Sequence, residues 1–149
     1  MYVSQILLAS LPNIETVTLL IIVTTCVFGV KALCSVYIFA ICEILTYGLE
    51  IWAVNYLYVW AILCILVLLI KKFDNSVLFA ILAALYGFLF GTLCSIPYFI
   101  TGGFAAGITY IIQGIRFDLY HCIGNFFIVL FLYKPLKTTL YKAVRKHLK

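Results

Sequence analysis

Asp118, His121, Cys122 and Asn125 fall at i, i+3, i+4 and i+7, the spacing of one helix face, two residues beyond Arg116. The stretch Gly114-Ile115-Arg116-Phe117-Asp118-Leu119-Tyr120-His121-Cys122-Ile123-Gly124-Asn125 runs directly into the apolar segment 126–133. Ionisable groups at the mouth of a membrane span cost free energy unless they are paired, solvated or used. An acid, an imidazole, a thiol and an amide could in principle transfer protons, attack a substrate, hold a metal or bind a polar ligand. Catalysis is the weaker reading. Asp118, His121 and Cys122 supply too few ligands for a zinc site without help, and neither an H-E-x-x-H nor a G-x-S-x-G pattern occurs. His121 and Cys122 are adjacent, so their side chains diverge by about 100° around a helix. No catalytic residue, metal or cofactor is expected, which leaves hydrogen bonding to a small polar ligand.

Further polar groups belong with this face. Glu43, Tyr47 and Glu50 repeat the spacing on another segment. Asn13 and Glu15 follow the opening apolar stretch, and Trp52, Asn55 and Tyr56 lie in the loop that opens a later one. Together they would rim a cavity of the kind a small polar molecule needs. The plain structural alternative is an internal network, with Arg116 paired to Asp118, His121 bonded to a carbonyl, and Trp52, Tyr56 and Tyr58 as ordinary interfacial aromatics. Near mid-span a charged Glu43 would cost roughly 3 kcal/mol, so it is expected to be neutral or paired.

The elements that must position these residues are membrane helices. Hydrophobic residues make up 66% of the chain and charged ones 10%, with a mean hydropathy of +1.22. Soluble domains carry about a quarter charged residues, so an ordinary water-facing surface is excluded. A span needs about 20 apolar residues; candidates lie at 16–30, 32–49, 56–70, 76–99 and 117–133. Residues 103–112 are apolar but short, as an interfacial or re-entrant helix would be. Residues 2–11 end at the turn signal Pro12-Asn13 and read as the tail of a first span whose beginning is missing. The expected architecture is an all-α six-helix transmembrane bundle over residues 1–133, with its first helix truncated and both termini cytoplasmic. A basic tail, 134–149, follows it.

Charge placement supports six crossings. With the amino terminus inside, nine of the ten Lys and Arg residues face the cytoplasm, with Arg116 the exception, and Glu15, Glu50 and Asp118 fall outside. The six cysteines show no C-x-x-C pair and read as small buried hydrophobes. Ala83, Gly87, Gly91 and Ser95 recur every four residues. Such a stripe admits close helix approach, either within this bundle or from a separate subunit. In the tail, Leu136, Leu140, Val144 and Leu148 keep helical spacing among the basic residues, which predicts a surface helix held by anionic lipid; contact with a cytoplasmic ATPase is the lesser alternative. No G-x-x-x-x-G-K-[ST] loop occurs, and no paired broken halves mark a secondary transporter. A small binding body without a motor would borrow its power.

The chain resembles the substrate-binding S components of energy-coupling factor (ECF) transporters. The resemblance is carried by Leu11-Pro12-Asn13-Ile14-Glu15, by Asn55-Tyr56-Leu57-Tyr58-Val59-Trp60, and by Gly114-Ile115-x-Phe117-Asp118-Leu119-x-His121-x-x-Gly124-Asn125. It implies a six-helix vitamin-capture protein of the prokaryotic cytoplasmic membrane. Such a protein docks onto a transmembrane T component with two cytoplasmic ATPase subunits, within a lipid bilayer, and delivers a micronutrient to the cytoplasm; no nucleic acid is involved. Two departures stand out: Arg116 occupies a position where the family pattern has Pro, and residues 1–11 lack the Ala-x-x-x-Ala stripe through which the family docks. Arg116 would favour an anionic group on the ligand unless it simply pairs with Asp118. The competing classes are a small intramembrane enzyme and a ligand-free helper of another membrane complex.

Overall fold

A computed structural model describes residues 1–8 and 16–147. Asn13 and Glu15 therefore lie outside the described residues. Six α-helices follow one another: α1 (Tyr2–Leu8), α2 (Val17–Phe28), α3 (Ala32–Tyr47), α4 (Ile51–Ile70), α5 (Ser76–Cys94) and α6 (Ile96–His147). No strand occurs among the described residues. Four helical stretches are long and apolar enough to cross a membrane, Val17–Tyr47, Ile51–Phe73, Ser76–Cys94 and Ile96–Lys146. The protein is thus a helical membrane protein.

The first of those stretches folds back on itself. α2 stops at Gly29, whose φ of 63° is open to glycine and strained for other residues. A 3₁₀ turn, Gly29–Lys31, then launches α3 in the reverse direction. Thr18, near the start of α2, bonds Asn125, while Cys26, near its end, lies against Tyr133. α3 finishes at the opposite end of the bundle, where Tyr47 packs on Trp52 of α4. α4 returns to the first end, closing in a 3₁₀ turn (Lys71–Phe73) with Asp74 left-handed at φ 42°. Asn75 then caps α5, its Oδ1 accepting from Val77 N at 2.8 Å and Leu78 N at 3.3 Å, which satisfies two of the orphan amides of a helix start.

α5 and α6 make one long antiparallel hairpin. α6 is broken at Gly103 (φ 76°, ψ −175°), a conformation open in practice only to glycine. Residues 96–102 extend α5, and 104–147 return beside them. Tyr98 stacks on Tyr110, Phe90 meets His121 and Phe79 meets Tyr133, pairs that step outward in register from the turn. The short helix expected at 103–112 is therefore the first part of the returning arm. At ~1.5 Å per residue that arm is roughly 65 Å long, about twice a bilayer core of ~30 Å, so it projects beyond the bundle. The tail is likewise continuous with the last span, with Leu136 and Leu140 packed against the core.

α1 differs from an emerging first span. Tyr2 OH meets Thr46 Oγ1 at 2.6 Å, and Gln5 Nε2 donates to Glu43 Oε2 at 3.3 Å, one turn earlier in α3. Contacts in that order belong to antiparallel helices.

The core is built on Trp60, Leu63 and Val67 of α4, Ile21 and Ile22 of α2, Phe79 of α5 and Tyr133 of α6. Large apolar side chains such as Leu45, Ile100 and Phe104 are more than three-quarters exposed. In water such a surface would drive aggregation; against lipid it carries no penalty. The two ends of the bundle differ in charge. Lys31, Lys71, Lys72 and the cations from Lys134 to Lys146 gather at one end, where Lys137 Nζ and Tyr133 OH both donate to Asp74 Oδ1. Glu43, Glu50, Asp118 and Arg116 lie toward the other, the acidic end.

Candidate functional site

Among the described residues, two hollows lie toward the acidic end. The inner one, about 310 Å³, is bounded by Phe90 and Gly91 of α5 and by Tyr110, Gln113, Gly114, Phe117, Asp118 and His121 of α6. The outer one, about 410 Å³, is bounded by Leu49, Glu50, Ile51, Trp52 and Tyr98. Tyr98 belongs to the outer wall and Tyr110 to the inner. Their rings stack with centroids 4.2 Å apart, so one aromatic pair separates the two hollows.

Asp118 is the centre of the inner hollow. It is 5% exposed, and its Oδ1 accepts from Gly91 N at 2.9 Å. An amide inside a helix is normally committed to its own ladder; here glycine leaves the helix surface bare, so the carboxylate can come down onto it. An added Cβ at Gly91 would lie 2.5 Å from Asp118 Oδ2, and one at Gly87 would lie 2.8 Å from the His121 carbonyl carbon. The small-residue face of α5 is thus covered by α6 of the same chain at Gly87 and Gly91. Ala83 is fully buried, and Ser95 turns its hydroxyl to Thr92 O.

His121 shares the inner wall and sets its ring edge-on to Phe90, centroids 5.6 Å apart. Asn125, one turn deeper, is 5% exposed and donates to Thr18 Oγ1 at 3.4 Å. It lies below the hollow, at the junction of α2, α5 and α6. Arg116 is exposed and outside both linings. The Arg116–Asp118 ion pair of the structural alternative does not form, because residues two apart on a helix point to different faces; Asp118 turns to Gly91 instead.

The remaining expected site residues disperse. Glu43 is 1% exposed and accepts from Gln5 Nε2, which also reaches Tyr56 OH at 3.4 Å. α3 ends at Tyr47, so Glu50 leaves the Glu43 face and stands before α4, accepting from Trp52 Nε1 at 3.2 Å. α4 starts at Ile51, which places Trp52 and Asn55 on a helix and not in a loop. Asn55 is buried, 2.7 Å from Tyr58 OH, which in turn contacts Leu93 O at 2.7 Å. Tyr47 is 54% exposed and supports the Trp52 ring. A chain of rings, Trp52, Tyr56, Trp60, Phe90 and His121, links the outer rim to the inner hollow.

Tyr110, Gln113 and Tyr98 were not among the residues expected from sequence. Tyr110, Gly114, Asp118 and His121 do keep helical spacing, so extending the Asp118 face backward would have reached Tyr110. Treating 103–112 as a separate segment cut that pattern.

A larger hollow, about 800 Å³, lies at the opposite end, among Asp74, Lys134, Lys137, Tyr141, Lys142 and Arg145. It is one cationic face of the projecting α6 tail, far from Asp118. The six cysteines are free thiols, and among the described residues no three His, Cys, Asp or Glu gather as a metal site would require.

What fold and site define together is a helical membrane protein with a recessed carboxylate in the wall of a small hollow. No protein-family model, curated protein or solved structure matches the chain.

Proposed function

We propose that the protein is a membrane-embedded capture subunit, binding a small molecule in the hollow beside Asp118 and passing it to an ATP-driven importer of the ECF type. One observation carries the reading: a carboxylate kept 5% exposed in an apolar bundle, bonded to one backbone amide, in the wall of a hollow of about 310 Å³. Placing such a group inside a span costs about 2.5–3.5 kcal/mol, and binding a ligand is a use that repays it. The volume lies at the small end of ligand sites, which run from ~300 to ~1,000 Å³. The motif resemblance around Asp118 and His121 supplies the importer part, and the absent phosphate-binding loop agrees with a subunit powered by others.

The basic end faces the cytoplasm by the positive-inside rule, which places the hollows toward the outside and the carboxyl terminus within. We infer five passes, α2 to α6. A sixth would require α1 to rise alongside α3, and its contacts run the other way. Partners in this reading are a transmembrane T component and two cytoplasmic ATPases.

Purification from native membranes through a carboxyl-terminal tag, with mass spectrometry for proteins and small molecules, tests the reading. Co-elution of a T component, ATPases and a stoichiometric small molecule is the expected result. A chain that carries neither, or that turns over a substrate alone in detergent, would move the assignment to a helper subunit or an intramembrane enzyme.

A further inference from the structure

The two hollows have a common electrostatic character. The inner contains Asp118 and the outer Glu50. Arg116, the basic residue of that end, is exposed and lines neither, and the other described Lys and Arg side chains sit at the opposite end of the bundle. His121 is the one inner-wall group able to carry positive charge, and it does so only when protonated. The rest of the lining is largely aromatic: Phe90, Tyr110 and Phe117 within, Trp52 and Tyr98 at the rim. Aromatic faces attract cations through the ring quadrupole, and a recessed carboxylate rejects anions. A carboxylate and rings in one small hollow are the chemistry that recognises an organic cation. A bare metal ion would demand three or more protein donors, and among the described residues no such cluster forms.

We propose that the captured molecule is a small organic cation with a flat apolar body. Its charge is held at Asp118 and its body lies against Phe90, Tyr110 and Phe117, while Glu50, Trp52 and Tyr98 form the mouth through which it passes. This inference rests on the capture reading and narrows it. It also replaces the anion preference that Arg116 suggested from sequence, since that side chain lies outside the lining. On the returning arm Tyr110 and Asp118 are about 12 Å apart along the axis, at ~1.5 Å per residue. Glu50 at the rim therefore acts first, raising the local concentration of cations, and Asp118 acts after desolvation.

The test uses the full chain in nanodiscs and three probes sharing one ring: benzyltrimethylammonium, benzyl alcohol and phenylacetate. Trp60, whose ring centroid is 5.4 Å from that of Phe90, reports binding by fluorescence. Saturable binding of benzyltrimethylammonium at least about tenfold tighter than phenylacetate, a difference of ~1.4 kcal/mol, is expected. Asp118→Asn keeps an oxygen for the Gly91 amide and should erase the preference, whereas Arg116→Gln should leave it intact. Equal or tighter binding of phenylacetate by the native chain overturns the proposal, as does a preference that survives Asp118→Asn; the native-chain comparison stands even if the variant misfolds. A stoichiometric neutral or anionic compound in the native-membrane eluate would overturn the cation assignment while leaving capture standing. An empty eluate together with no saturable probe would overturn capture, and this proposal with it.

Discussion

Gly91 N donates to Asp118 Oδ1 at 2.9 Å, and a methyl group on Gly91 would sit 2.5 Å from Asp118 Oδ2. The glycine and the acid are therefore one feature. The small residue in α5 exists where α6 lays down a carboxylate, and the space it leaves is the seat of the candidate site.

Gly91→Ala is expected to displace Asp118 and abolish ligand retention, with overpacking costing about 1–3 kcal/mol of stability. Gly114→Ala, where an added Cβ meets no protein atom within 4 Å, should leave stability unchanged, though Gly114 also lines the hollow. Thermal unfolding in detergent and analysis of the retained small molecule compare the two.

Asp118→Ala is expected to abolish binding while the protein still inserts in the membrane. Asn125→Ala acts differently, because Asn125 lies beneath the hollow and bonds Thr18 at 3.4 Å. Its loss should lower stability by about 0.6 kcal/mol, the mean for polar contacts between membrane helices, and weaken binding only secondarily. Unchanged ligand affinity in Asp118→Ala would remove the site assignment.

Asp74 gives the acid side of the stability curve a defined slope. Its carboxyl is held below its ordinary range, most strongly by the Lys137 hydrogen bond and next by that of Tyr133. A depressed folded-state pKa contributes stability above the unfolded value, and that contribution is lost as pH falls through the folded one. Wild-type Tm should therefore fall more steeply on acidification than that of Asp74→Asn, with the two curves converging at the lowest pH. The Asp74 side chain is 57% exposed and that of Lys137 26%, so the gap should be small and should shrink in high salt.

Gly103→Ala isolates backbone strain, since its Cβ would meet nothing within 4 Å while φ is 76°. A cost of about 1–3 kcal/mol is expected, with Tyr98 and Tyr110 losing their stacking. Proteolysis at the hairpin tip should rise accordingly.

Orientation follows from cysteine labelling. In a cysteine-free background, Glu50→Cys should react with an impermeant maleimide added to whole cells. Lys72→Cys and Lys142→Cys should react only after the membrane is opened. The reverse pattern would invert the topology and place the candidate site on the cytoplasmic side.

Part of the site was legible along the chain. The spacing of Asp118, His121 and Asn125 named one face of α6, and Asp118 and Asn125 are buried on it. Tyr110 was hidden because the polar residues Gln113, Arg116 and Asp118 look like the end of a span in a hydropathy profile. They interrupt hydrophobicity without interrupting helix propensity, so α6 runs straight through them. Glu50 was assigned to the Glu43 face for the converse reason: its spacing fits, but Gly48 at φ 91° ends α3 first.

Composition and charge order by themselves determined the solvent, the helical class and the separation of basic from acidic ends, since these depend on summed hydrophobicity and on the order of residues along the chain. Which helices meet was decided only in three dimensions. The turn at Gly103 lays the returning arm of α6 along α5, and only that pairing brings a glycine amide from one helix to a carboxylate on the other. Periodicity names a face but not its partner, because helix–helix contact is set by where backbones can approach. Here that is where Gly87 and Gly91 present no side chain.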